Sequence, residues 1–199
     1  MEVKEIIINI AYLIAAICFM YGLKMLSHPK TARNGNFISS FGMLIAIVST
    51  LVIGTEMNWM LIAIGLIIGS IIGAFFAIKV QMTQMPQLVA IFNGFGGGAS
   101  ALVACSEVWK LEEGTGTFTL IAIGLSIIVG TLTFTGSFIA FGKLQGVITT
   151  KPVTFPGQQI LNAVLAIIMI IAAYMIPQYG INAFYIIVVL SGLLGILLV

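Results

Sequence analysis

The chain has 199 residues, 60% of them hydrophobic and only 7% charged, with a mean hydropathy of +1.20. Soluble domains carry about 25% charged residues, so this composition excludes a surface kept in water. A net charge of +2 excludes nucleic-acid binding by counterion release; the lack of any Asp excludes Asp-based catalysis, and one His with two Cys cannot make an ordinary zinc site.

What remains is an integral membrane protein. A helix needs about 20 apolar residues to cross roughly 30 Å of hydrocarbon. Seven stretches qualify: 6–23, 37–53, 59–78, 86–106, 118–141, 159–176 and 181–199. A β-barrel would alternate in polarity over segments of about 10 residues, and none do. The expected fold is all-α, a single transmembrane domain of seven spans over residues 1–199, placed in the bilayer.

The first span opens on Glu2, Lys4 and Glu5 with no small-residue cleavage site after it, so it reads as an uncleaved helix rather than a signal peptide. With the N-terminus outside, the inner links hold Lys24, Lys30, Arg33, Lys79, Lys143 and Lys151. The outer side then takes Lys4, Lys110 and all the glutamates: Glu2, Glu5, Glu56, Glu107, Glu112 and Glu113. That asymmetry is the positive-inside pattern, and seven crossings put the C-terminus inside. Cys18 and Cys105 fall within spans and read as small hydrophobes.

In the third span Gly65, Gly69 and Gly73 recur every four residues, a small-residue face of the kind that lets helices approach. Ser191 and Gly195 repeat the spacing once in the last span. Lys79-Val-Gln81 and Lys143-Leu-Gln145 resemble each other, but three residues do not establish a duplication.

The fourth span carries the most information. It opens at Pro86, suited to a first helical turn, and runs Gln87-Leu-Val-Ala-Ile-Phe-Asn93-Gly94-Phe-Gly96-Gly97-Gly98-Ala99-Ser100. Gly94 to Ala99 spells G-x-G-x-x-A, yet it sits inside an apolar helix instead of after a strand, so it is no dinucleotide site. Gly94 and Gly98 are read as helix contacts. Asn93 lies about 10 Å along the axis from Pro86, where an amide needs a partner or water. Asn93, Gly97, Ser100 and Ala104 form one stripe. Helix-packing glue explains it, and so does a hydrated pathway. The fifth span adds Thr131, Thr133, Thr135 and Ser137, hydroxyls that either bond back to their own helix or face a polar interior. The chain reaches Val199 amid apolar sequence, which reads as an interrupted domain.

Met82 to Ser100, together with Thr133 to Gly146, resembles the membrane domain of the proton-translocating NAD(P) transhydrogenase beta subunit. Arg33-Asn-Gly-Asn36, Gly42-Met43 and Lys151-Pro152 fit the same family. The resemblance covers essentially the whole chain. It implies a proton channel coupled to hydride transfer from NADH to NADP, with proton entry into the cytoplasm of a bacterial cell. It implies nine spans followed by an NADP-binding domain, of which this chain offers seven spans and stops, so the chain alone is expected to be inactive. It implies that NAD and NADP are bound by other domains, none by this chain; that the partners are alpha subunits and the NADP-binding domain; and that the complex is dimeric.

The family places a channel residue, often histidine, at the position matching Asn93, and a serine of interest at the one matching Ser137. Family members also carry acids where this chain has Gln84 and Gln87. Asparagine cannot titrate, and no ionisable side chain lies in the middle of any span; His28 falls in an inner loop. The expectation is that Asn93, Ser137 and Ser100 orient water while a titratable group comes from elsewhere. Arg33, Lys143 and Lys151 are candidates for docking soluble domains, or ordinary inner-side anchors. A secondary-transporter fragment and a structural membrane scaffold are the rival readings.

Overall fold

The computed structural model describes residues 3–54, 58–111, 115–151, 154–179 and 181–199. Glu2, Glu56, Glu112, Glu113 and Pro152 lie outside the described residues. Among those described, the regular structure is entirely helical: α1 Val3–Leu26, α2 Ala32–Ile53, α3 Trp59–Lys79, α4 Met85–Val108, α5 Thr117–Leu144, α6 Gln158–Tyr174, α7 Ile176–Tyr179 and α8 Ile181–Leu197. A 3-10 turn at Met82–Gln84 leads into α4, whose first turn holds Pro86, where the missing amide costs no helical bond. Every expected apolar stretch is a helix, most reaching a few residues beyond the apolar run because polar ends continue the turn.

Length separates these helices. Those from α1 to α5 are long and apolar enough to cross a bilayer. At 17 residues each, α6 and α8 extend about 25 Å, short of the roughly 30 Å core. Pro177 has no amide to return to the carbonyl of Ala173, and the chain breaks at Met175 before resuming as α7.

The termini carry their own chemistry. Phe155-Pro156-Gly157-Gln158 makes a tight turn, with the Gln158 amide donating to the Phe155 carbonyl at 3.2 Å. Gly157 sits at φ 85, the left-handed conformation a type II turn requires of its third residue. Gly146, at φ 74, ends α5 in the same conformation, and the Val147 amide folds back to the Gly142 carbonyl at 3.0 Å.

By contacts the chain divides into two compact units, Met1–Ile71 and Ile72–Val199, with α3 running across the division. The first is an antiparallel hairpin of α1 on α2. Its buried residues recur every seven positions, Ile8, Ala15 and Gly22 on α1 and Gly35, Gly42 and Ser49 on α2. The backbones meet directly: a Cβ on Gly35 would lie 2.7 Å from the Gly22 carbonyl oxygen, and one on Gly42 3.1 Å from that of Ala15. Tyr12 Oη and Thr50 Oγ1 hydrogen-bond across the pair at 2.9 Å.

In the second unit α5 is the hub, packing on α4, α8 and α6. One end is an apolar cluster in which Ile127, Ile176 and Ile187 are fully buried with Ala104, Cys105, Val108 and Phe184. Cys105 acts there as a small apolar side chain. Within lipid the hydrophobic effect does not drive helices together, so this cluster holds by close packing. Thr135 and Gly136 of α5 meet Gly195 of α8, while Ser191, fully buried, bonds back to the Ile187 carbonyl at 2.6 Å.

The third span departs from expectation. A Cβ on Gly65, Gly69 or Gly73 would meet nothing within 4 Å, and no residue of α3 is buried. Among the described residues, the close packing expected of that glycine face is instead made by glycines of α1, α2, α4, α5 and α8. Four-residue spacing marks a face that permits approach; whether a helix lies opposite is settled elsewhere in the fold.

Candidate functional site: the polar seam between α4 and α5

Helices α4 and α5 run antiparallel with their backbones in near contact. A Cβ on Gly97 would lie 2.8 Å from the Gly130 carbonyl oxygen and 2.7 Å from Thr133 Cβ; one on Gly130 would lie 2.6 Å from the Gly97 carbonyl oxygen. Gly94 faces Ser137 and Phe138, and Gly98 faces the ring of Phe134. The G-x-G-x-x-A run is therefore a helix-packing surface. Its glycine faces at 94, 97 and 98 are filled by α5, with no open cradle for a pyrophosphate.

At this approach two polar side chains meet. Asn93 Nδ2 donates to Ser137 Oγ at 2.8 Å. Ser137 is buried, whereas Asn93 keeps an exposed side on this chain, so the pair has one face in the packed seam and one face open. Six residues earlier on α4, Gln87 Nε2 donates to the Leu144 carbonyl at 3.2 Å. Ser100 lies two turns beyond Asn93 on the exposed side of α4, and no hydrogen bond among the described residues joins it to the pair. The hydroxyls of α5 divide: Thr133 packs on Gly97, while Thr135 Oγ1 bonds back to the Thr131 carbonyl at 3.2 Å.

The basic candidates also divide. The Lys143 ammonium donates to the Val199 carbonyl, tying the end of α5 to the end of α8. Gln158 Nε2 makes a similar tie from the start of α6 to the Leu197 carbonyl at 2.8 Å. Arg33, in the first turn of α2, and Lys151 are exposed. His28 lies in the link between α1 and α2, its carbonyl accepting the amides of Thr31 and Ala32.

Sequence reasoning singled out Asn93 and Ser137 separately, and the fold brings them together. It missed Gln87 as a bridge to α5 and Gln158 as a bridge to α8. Both glutamines stand in the opening turn of a helix whose antiparallel neighbour ends nearby, a position readable only once the hairpins are paired.

A helical bundle with several bilayer-length spans and a bonded polar pair between two of them defines a multi-pass membrane protein. The family profile described as NAD(P) transhydrogenase beta subunit matches residues 8–199, and the chain belongs to that family. It is 44% identical over 155 residues to the NAD(P) transhydrogenase subunit beta of Rhodospirillum rubrum, and equally to the subunit of that name from a defined strain of the species. Each alignment covers 74% of this chain and 33% of the relative, so the chain matches about a third of the length of these relatives.

Proposed function

We propose that this chain is the proton-conducting membrane part of a transhydrogenase in which hydride transfer from NADH to NADP is coupled to proton translocation into the cytoplasm. The observation carrying this reading is the 2.8 Å bond from Asn93 to Ser137 in the spans of α4 and α5. An amide and a hydroxyl within the spans are costly in hydrocarbon unless bonded, and the exposed side of Asn93 suits water. Neither titrates in the working range, so both act by orienting water while a titratable group from another helix or subunit carries the proton. Ser100, on the same open side, extends the hydrated face.

In this reading the five long helices α1 to α5 and the shorter α6 and α8 all cross a bacterial inner membrane, with the N-terminus outside. The sorting of basic residues supports that orientation. The short α6 completes its crossing together with α7: residues 158–179 reach about 33 Å if the break is small. NAD and NADP are held by the soluble domains of alpha subunits and of the beta subunit itself, in a dimeric complex. Exposed Arg33 and Lys151 face those domains on the inner side. Lys143, tied to Val199, serves more to join α5 to α8.

Asn93→Leu in a complete complex reconstituted into closed vesicles tests the reading. Hydride-driven proton movement should fall by at least tenfold, while hydride exchange that does not draw on the membrane domain persists. Proton movement equal to the parent's would reject the pathway and favour a structural scaffold.

A further inference from the structure

Two cross-helix bonds run along the α4–α5 seam, not one. Asn93 reaches Ser137, and Gln87 reaches the carbonyl of Leu144, the last residue of α5. Each donor moves six residues along α4, about 9 Å, while its acceptor moves seven along α5, about 10.5 Å, so both belong to a single antiparallel register. Leu144 offers one of the carbonyls that a helix end leaves without an internal donor, which makes it a natural anchor. A slip of one residue on α4 rotates that helix by about 100° and carries Asn93 away from Ser137.

Gln87 has a second feature that a strap alone does not explain. Its Nε2 is engaged, but its Oε1 is buried and has no hydrogen-bond partner among the described residues. Buried polar atoms are nearly always bonded, and an amide oxygen accepts up to two hydrogen bonds. The donor that fits a single buried oxygen at the start of a helix, where the bilayer gives way to the link, is water.

We propose that Gln87 is a positioning residue of the Asn93–Ser137 pathway: its amide nitrogen sets the register in which the pair meets, and its buried oxygen holds water where protons enter or leave the seam. This rests on the function proposed above. Gln87 itself neither gains nor loses a proton; the proton passes between waters, one of which it holds in place.

The test uses the complete complex in closed vesicles, reading protons moved per hydride transferred for Gln87→Leu, Gln87→Glu and Asn93→Leu. Gln87→Leu removes both functions and should lower the ratio at least fivefold. Gln87→Glu keeps an acceptor oxygen but loses the Nε2 donor to Leu144, so its ratio should fall between those of the parent and Gln87→Leu. If Gln87→Leu matches the parent while Asn93→Leu loses coupling, the inference about Gln87 falls and the pathway stands. If Asn93→Leu matches the parent, the pathway falls and takes this inference with it. Equal losses in both Gln87 variants would leave a strap without a water-holding role and overturn the proposal. Should Gln87→Leu fail to assemble, as judged by size-exclusion chromatography, Gln87→Glu decides alone: an intermediate ratio supports the proposal, whereas a ratio equal to the parent's removes the register role and a complete loss removes the water-holding role, either of which overturns it.

Discussion

The α1–α2 hairpin and the α4–α5 hairpin are built by the same device and put to different ends. Both bring two antiparallel helices so close that glycine faces carbonyl oxygen, Gly35 on Gly22 in one and Gly130 on Gly97 in the other. In the first, the seam is lined by small residues at heptad spacing, and its bridging bond, Tyr12 to Thr50, is exposed. In the second, Asn93 meets buried Ser137 in the seam itself, while the Gln87 bond to Leu144 is exposed at its end. Close packing alone thus makes a rigid pair. A pathway needs polar groups placed at the approach with one side left open.

The largest effect should come from filling either approach. Gly97→Leu and Gly35→Leu each put a side chain where the nearest atoms include a backbone oxygen, at 2.8 and 2.7 Å, which no rotamer change can relieve. Overpacking of this kind costs about 1–3 kcal/mol or more. Both variants should lose most of their folded yield and show a markedly lower midpoint for thermal aggregation in detergent. A tolerant Gly97→Leu would mean that the seam is looser than the hairpin.

Smaller effects separate the two hairpins. Ser137→Ala leaves the Asn93 amide without its partner, costing about 1–2 kcal/mol in unfolding measurements, together with a loss of coupled proton movement. Tyr12→Phe removes an exposed bond within the first hairpin and should cost less, about 0.5 kcal/mol, with coupling unchanged. A loss of coupling in Tyr12→Phe would erase the functional distinction between them. Smallest of all, Gly69→Ala adds a methyl into open space on α3. The isolated chain should unfold at the same or a slightly higher midpoint, since Ala favours a helix over Gly by about 0.5–1 kcal/mol; a lower midpoint would reveal a contact on that face.

The helices were legible in the sequence because hydrocarbon imposes a simple rule: about 20 apolar residues, ended by polar links, form a span. The rule is blind to what lies opposite a face. It picked out Gly65, Gly69 and Gly73, which meet nothing, and passed over the seven-residue spacing of Ala15, Gly22, Gly35 and Gly42, which makes a tight seam. It also took α6 to Ile176 in one piece, although the Pro177 amide gap already acts at Met175.

Of the candidate site, Asn93 and Ser137 could be named in advance because a polar group deep in an apolar span demands a reason. Ser100 satisfied the same spacing argument, yet it stands apart from the pair, since a stripe on a helix is wider than the line of contact with one neighbour. Lys143, by sequence a docking candidate or an inner-side anchor, donates to the Val199 carbonyl. Gln87 stood out only as a position where family members carry an acid, and Gln158 carried no signal, because a glutamine near a span end is ordinary until a neighbouring helix ends beside it.

By itself, then, the sequence determined that this is a helical membrane protein, where its helices lie, and which family it resembles, all properties of local hydrophobicity and short motifs. Only the tertiary structure decided which glycines are contacts, that Asn93 and Ser137 form a pair, and that Gln87 reaches the end of α5. Those facts depend on the alignment of one helix against another. In lipid that alignment is chosen by backbone fit and a few hydrogen bonds, which no single segment contains.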